Sequence, residues 1–252
     1  MTGGPSDGLR EVYERRAELE YAEPPPPPDP AVDRKFERVW QLVSERLPCE
    51  AFLDAGCGDG RHLAALARGI HRTPRVVGTD ISQRILETAR AAAAPLEPEL
   101  VQANLEALPF EDAAFDLVLC TQVIEHLLDP AAGLRELARV LRPGGALVLT
   151  TDNRRAVVSK TLNAPRAVAV RALRLHPRYK RVDFPHADFT PNEVAGLVEA
   201  AGLAVEHAET FRFTLARPLG RPAGQRVLNR VDKALPAHRV GDIVAVAARR
   251  PT

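Results

Sequence analysis

From Ala51 onward the chain alternates two rhythms. Short continuous apolar runs give way to longer segments whose apolar residues recur at helical spacing. The runs predict strands at Ala51–Asp54, Arg75–Asp80, Glu99–Ala103, Phe115–Cys120, Ala146–Thr150, Leu203–Thr210 and Asp242–Ala248. The longer segments predict helices from Arg61, over Ser82–Ala94 with Ser82 as N-cap, and over Asp129–Leu141 with Pro130 in the first turn. Another runs from Thr190 to Ala201, where Thr190 and Glu193 form a capping box and Gly202 closes the end. Pro143-Gly144-Gly145 reads as a turn. Strands that are apolar throughout, alternating with helices, predict a doubly wound α/β fold. Its sheet is mostly parallel and covered by helices on both faces.

The flanks follow other rules. Residues 1–8 read as disordered and Leu9–Tyr21 as a short Glu- and Arg-rich helix. The run Pro24–Pro28, with Pro30, is a stiff polyproline connector or a ligand for a proline-reading domain. Ala31–Leu47 is an amphipathic helix with Val32, Phe36, Val39, Trp40, Val43 and Leu47 on one face. Two stretches break the alternation, Asn153–Phe189 (helical at Ala164–His176) and Phe211–Val240; both are basic. The predicted organisation is an N-terminal arm and linker over 1–30 and one domain over 31–252, with a basic insert at 152–189.

The chemistry collects where strands end. Leu53-Asp54-Ala55-Gly56-Cys57-Gly58-Asp59-Gly60 is a strand running into a tight glycine turn and then a helix. Such a turn brings backbone N–H groups close to a ligand, unless it is only a sharp corner. A dinucleotide fingerprint would need glycine at Arg61, and a phosphate loop would end in Gly-Lys-Ser/Thr. Asp54 instead suits a ligand with a cationic end. Asp80, at the end of the second strand, matches the acid that takes a ribose hydroxyl pair, or is a solvated strand end. Asn104 can pair with adenine or form a turn. His126, after the fourth strand, can act as a general base or brace its loop through Glu125. His186, with Asp188 beside it, is a second candidate base or a loop histidine. No His/Cys/Asp/Glu cluster has metal-ligand spacing, so no metal is expected.

Composition narrows the partners. The net charge of +1 gives no global field toward nucleic acid or membrane. Nine acidic residues against one basic occupy 97–136, whereas 153–182 holds nine basic residues and no acidic one. In that basic stretch Arg171 and Arg174 interleave with apolar residues, which suits a membrane-surface helix, a lid over an anionic substrate, or a solvated face. Three cysteines without a pairing or metal pattern fit a reducing compartment, and no signal region or membrane span is legible. A cytoplasmic protein is expected, with 154–181 as its place of contact with the inner face of a membrane.

Taken together, Leu53–Gly60, Val77–Asp80, Asn104–Phe110, Asp116–Pro130 and Leu134–Gly145 resemble the successive motifs of class I S-adenosylmethionine-dependent methyltransferases. The resemblance is to the methyltransferase type 11 group, which includes ubiquinone and menaquinone methylases. It covers about Ala51 to Val205 and implies a Rossmann-like seven-stranded sheet with the last strand antiparallel, plus a helical lid insert. It implies S-adenosyl-L-methionine as cofactor, with Asp54, Gly56, Cys57 and Gly58 cradling the methionine part. Asp80 would hold the ribose and Ile81 would lie against the adenine. Asn104 and Leu105 would meet the adenine, Asn104 standing where the family usually has Asp. Thr121 and Gln122 would line the methyl side, and Tyr13 and Tyr21 are candidates to close over the cofactor. The implied reaction is methyl transfer to a small-molecule or lipid-like acceptor, with O-methylation of an anionic or membrane-associated acceptor favoured and His126 or His186 as base. The rivals are a non-catalytic binding module on the same fold and a nucleic-acid or protein methyltransferase. Against nucleic acid stands Thr121-Gln122-Val123-Ile124, which is not an Asn/Asp-Pro-Pro-Tyr/Phe element.

Overall fold

The computed structural model describes residues 5–20, 33–69, 75–94, 96–156, 186–212, 222–234 and 241–252. In chain order these give α1 (Pro5–Glu20), α2 (Arg34–Ser44), β1 (Ala51–Ala55), α3 (Arg61–Gly69), β2 (Arg75–Asp80), α4 (Gln83–Ala92), β3 (Glu99–Gln102) and β4 (Phe115–Thr121). A single 3₁₀ turn (Ile124–His126) follows, then α5 (Pro130–Val140), β5 (Leu141–Asp152), α6 (Pro191–Ala200), β6 (Ala204–Phe211), α7 (Pro222–Ala234) and β7 (Ile243–Arg249).

The seven strands form one sheet in the order β3-β2-β1-β4-β5-β7-β6. The first five strands in the chain run parallel, and β7 is antiparallel to both β5 and β6. The expected doubly wound sheet with an antiparallel last strand is therefore present. Every residue of β1 is buried, as a central parallel strand requires. The two-residue period of a strand sends Leu53, Val118 and Leu147 to the face covered by α5 and α6. The same period sends Phe52, Leu117 and Val148 to the face covered by α2, α3 and α4. Parallel strands place their C-terminal ends on one edge. The loops after β1, β2, β4 and β5 meet there.

The capping signals in the sequence act as expected. Ser82 Oγ accepts from Ile85 N at 3.2 Å, and Thr190 and Glu193 complete their box. Asp33 rather than Ala31 starts α2, accepting from Phe36 N at 3.0 Å, so that helix is shorter than its apolar pattern. Val32 lies outside the described residues, as do Tyr21, the polyproline run and the insert at 157–185 with its expected helix.

Three expectations are corrected. Residues 5–8, expected to be disordered, are the first turn of α1, where proline at the first position fits a helical φ. Pro143-Gly144-Gly145 is part of β5 rather than a separate turn. The register slips opposite β4 between Phe115 and Leu117, and Gly144 has φ +78°. The stretch 211–240, expected to be irregular, contains α7. Two of its buried residues are polar, Asn229 and Asp232, which hid it from a reading based on apolar spacing. Asp232 accepts from Arg34 Nε and from the Arg212 backbone N, both at 2.8 Å, tying α7 to α2 and to the end of β6.

α1 docks on α4 through two acidic side chains, Glu14 and Glu18, the latter 3.1 Å from an Arg84 guanidinium nitrogen. Glu14 accepts from Ser82 Oγ at 2.9 Å and from Gln83 N at 2.7 Å, satisfying donors that a helix start leaves free. Leu9 and Ala17 are buried on the same helix. Replacing Glu14 by Ala is expected to speed hydrogen exchange at the Gln83 amide and along α1 and to cost about 1 kcal/mol. Unchanged exchange along α1 would show that the apolar contacts and the Glu18–Arg84 pair hold it without Glu14.

Candidate functional site

The glycine turn between β1 and α3 is built by two hydrogen bonds to one oxygen. Gly56 N and Cys57 N both donate to Thr79 O, at 2.8 and 2.7 Å, which ties the turn to the end of β2. Gly56 has φ +78°, and a Cβ there would lie 2.3 Å from Val123 Cγ2, so the loop after β4 packs directly on the turn. Gly58 has φ +52°, and a Cβ there would meet nothing within 4 Å. Its face is open toward a cavity of about 360 Å³ at the C-terminal edge of the sheet.

The cavity wall carries most of the residues singled out from the sequence: Gly56, Cys57, Gly58, Asp80, Ile81, Asn104, Leu105, Thr121, Gln122, His126 and Tyr13. Asp80 accepts from Gly58 N at 3.1 Å and from Ser82 N at 3.0 Å, one to each oxygen. Burial pushes its pKa up to about 6, while these backbone donors hold it down. It is ionised at neutral pH, with lone pairs left to accept from hydroxyls. Asn104 forms its turn. Its Oδ1 accepts from Glu106 N at 3.1 Å and its Nδ2 donates to Glu106 Oε2 at 3.2 Å. Gln122 sits at φ +56°, and its Nε2 is buried with no partner among the described residues. Such a conformation is costly for a residue other than glycine and recurs at ligand sites. Tyr13 brings its ring edge-on to His126, with centroids 6.2 Å apart.

Asp54 departs from its expected role as a wall residue. It is fully buried beneath the turn and is not part of the cavity wall. Neither carboxylate oxygen has a hydrogen-bond partner among the described residues. Burial first, then Asp59 and Asp80, push its pKa up to about 8, so it holds its proton at neutral pH.

Sequence reasoning missed Lys35, Asp59, His62 and Asp152, which all line the cavity. Glu125, read only as a brace for His126, lines it as well. Glu125 is 1% exposed, and its Oε2 accepts from Thr151 Oγ1 at 2.8 Å. Burial raises its pKa to about 7. Lys35 is lowered by burial, then by Arg212 and Arg61. His62 stacks on Phe36 at 5.4 Å, and burial, then Lys35 and Arg61, hold its pKa at about 3. Nothing in the spacing marks Lys35 or His62. Asp152 was within reach, because it ends β5 on the edge where the sites after β1, β2 and β4 also lie.

His186 stands behind His126, with ring centroids 5.2 Å apart. The segment around it is held to the edge by Phe189 N donating to Asp152 O and by Ala187 N donating to Glu125 O. His186 Nε2 thereby comes 3.6 Å from Asp152 Oδ2 and 3.5 Å from Asp188 Oδ1. The expectation of no metal-type cluster is corrected here. Ligand atoms of Asp152, His186 and Asp188 all lie within 4.8 Å of one another; His186 and Asp188 are neighbours in the chain, and the fold brings Asp152 to them.

Comparison with known proteins gives a consistent set of matches. The family described as "Methyltransferase domain" matches residues 53–149. The chain is 32% identical to the methyltransferase GfsG of Streptomyces halstedii, over 90% of this chain and 78% of that one. It is also 32% identical to a ubiquinone biosynthesis O-methyltransferase of Xylella fastidiosa, over 68% of each. Of three other curated relatives it spans only 34%, 59% and 42% of the length. Its fold matches the N-methyltransferase NodS of Bradyrhizobium japonicum, solved with S-adenosyl-L-homocysteine. The TM-score is 0.59 at 16% identity, covering 95% of this chain and 98% of that one.

The raised pKa of Asp54 makes a signed prediction. The folded chain keeps this proton up to about pH 8, whereas a free carboxyl loses it near 3.8, so stability falls as pH rises through that window. Asp54→Asn has no such proton. In cofactor-free protein, its melting temperature minus that of the parent is expected to grow steadily from pH 4 to about 8. A flat difference would mean that Asp54 is ionised in the fold.

Proposed function

The chain belongs to the S-adenosylmethionine-dependent methyltransferases, and on that footing we propose that it methylates an oxygen of a small-molecule or lipid-like acceptor. The observation that carries the reading is the pairing of Gly58 and Asp80 on one cavity wall. An open glycine face allows close approach, and an ionised carboxylate beside it is pinned by backbone N–H groups. These features suit an adenosine ribose. Ile81 and Leu105 supply apolar wall for the base, and the unpartnered Gln122 Nε2 supplies a donor. The buried Asp54 belongs to the floor of this site and reaches a ligand only through the turn above it.

S-adenosylmethionine, when bound, supplies a methyl carbon already activated for in-line displacement. The chain's residues then have mainly to position two reactants and keep water out. Leu9 and Tyr13 of α1 cover the cavity from one side. His126 lines the wall and is the proposed acceptor of a hydroxyl proton at its imidazole, with Glu125 and Thr151 anchoring its turn. His186 stands outside that wall, which makes it the lesser candidate for the base.

The acceptor class rests on three supports. The Xylella fastidiosa relative is named an O-methyltransferase of ubiquinone biosynthesis. Lys35 puts an amine nitrogen on the cavity wall, which can donate to an acceptor's oxygen. The basic stretch 154–181 suits an anionic or membrane-associated acceptor on sequence grounds. No helix among the described residues is long and apolar enough to cross a membrane.

Two measurements test the reading. Asp80→Ala is expected to weaken S-adenosyl-L-homocysteine binding at least about tenfold in calorimetry, the loss of a charge-assisted hydrogen-bond pair. Unchanged affinity removes the ribose role. His126→Ala is expected to lower kcat about 100-fold toward an acceptor found by screening with labelled cofactor, with homocysteine-product affinity kept. Unchanged kcat places the base elsewhere, and cofactor binding with no turnover on any acceptor favours a non-catalytic binding module.

A further inference from the structure

The geometry points to a divalent-cation site formed by Asp152, His186 and Asp188 at the mouth of the cavity, which we propose as the place where an acceptor oxygen is held. The donors are one imidazole nitrogen and two carboxylate oxygens, a set that suits Mn²⁺, Fe²⁺ or Zn²⁺. His186 Nε2 lies 3.6 Å from Asp152 Oδ2 and 3.5 Å from Asp188 Oδ1, and all three donor atoms fall within 4.8 Å. The shorter separations are at or beyond the reach of a hydrogen bond. With metal–ligand bonds of about 2.1 Å, neighbouring ligands stand about 3 Å apart and opposite ones about 4.2 Å, so sub-ångström shifts close the site.

Two further observations separate this group from an ordinary surface cluster. A second imidazole, His126, stands beside the first with ring centroids 5.2 Å apart, and it lines the cavity. Asp152 lines the same cavity, so one of the three ligands stands on the wall of the space where an acceptor would lie. The backbone is also placed for the task. Asp152 ends a central strand, and the segment of His186 and Asp188 is hydrogen-bonded to that strand end through Phe189 N and Asp152 O at 3.2 Å. Two donors on one rigid tether and one on another make a site that needs little ordering on binding.

A bound ion would draw electron density from a coordinated hydroxyl and ease loss of its proton. That role rests on the methyltransferase reading, whereas binding of the ion does not. It also leaves His126, rather than His186, as the group that takes the proton.

Mn²⁺ binding to the full chain, followed by the electron paramagnetic resonance of free Mn²⁺, tests the site directly, with Zn²⁺ calorimetry as a second probe. One saturable site is expected. The Asp152→Asn, Asp188→Asn double variant should weaken it at least about tenfold, and so should His186→Ala alone. Calorimetry with S-adenosyl-L-homocysteine reports whether each variant is folded, and Asp188→Asn should keep the parent's affinity. Absence of a saturable site at about 1 mM of either ion overturns the proposal, as does equal affinity in the double variant. A parent that binds Mn²⁺ but not S-adenosyl-L-homocysteine refutes the methyltransferase reading and leaves the ion site standing. The reverse result refutes the ion site alone.

Discussion

One carbonyl organises the active edge. Thr79 O takes hydrogen bonds from Gly56 N and Cys57 N, so the turn after β1 is joined to the last residues of β2. Asp80 is the next residue along, and its carboxylate reaches back to Gly58 N. The two strand ends therefore hold each other, and the ligand-facing atoms of each are positioned by the other. Val123 packs against the bare Cα of Gly56 and brings the loop after β4 into the same unit. A larger residue at 56 would push these loops apart, because packed interiors do not absorb such volume.

This edge is crowded with acids that the fold strips of water. Burial is the leading cause of the raised pKa at Asp54, Asp80 and Glu125 alike. The basic side chains on the wall show the converse, with Lys35 and His62 lowered chiefly by burial. Burial thus opposes the charged form in both sets, while backbone donors keep Asp80 ionised. A ligand carrying both signs relieves the two at once, which is the physical reason for such a wall to favour a zwitterion over a simple anion or cation.

Most of the sheet was legible in the sequence, because parallel strands buried on both faces leave continuous apolar runs such as Phe115–Cys120. Caps at Ser82 and Thr190 were legible for a local reason, since cap and helix are neighbours in the chain. The misses share a different cause. α7 buries Asn229 and Asp232, so its inner face does not look like one. Asp54 was read as a ligand contact because sequence gives its place in the turn but not its depth. Lys35, Asp152 and the approach of Asp152 to the local pair His186 and Asp188 depend on contacts between distant segments, which no local spacing records.

The interlock of Gly56 with Val123 has a consequence for how this protein can vary. Gly58, Asp80 and His126 sit on loops that pack as one body, so moving any of them would disturb the others. If these loops hold the donor, as proposed, variation in acceptor preference falls mainly to surfaces that touch the second reactant. On the proposed reading, residues away from this interlock can change what is methylated with less disturbance to where transfer takes place.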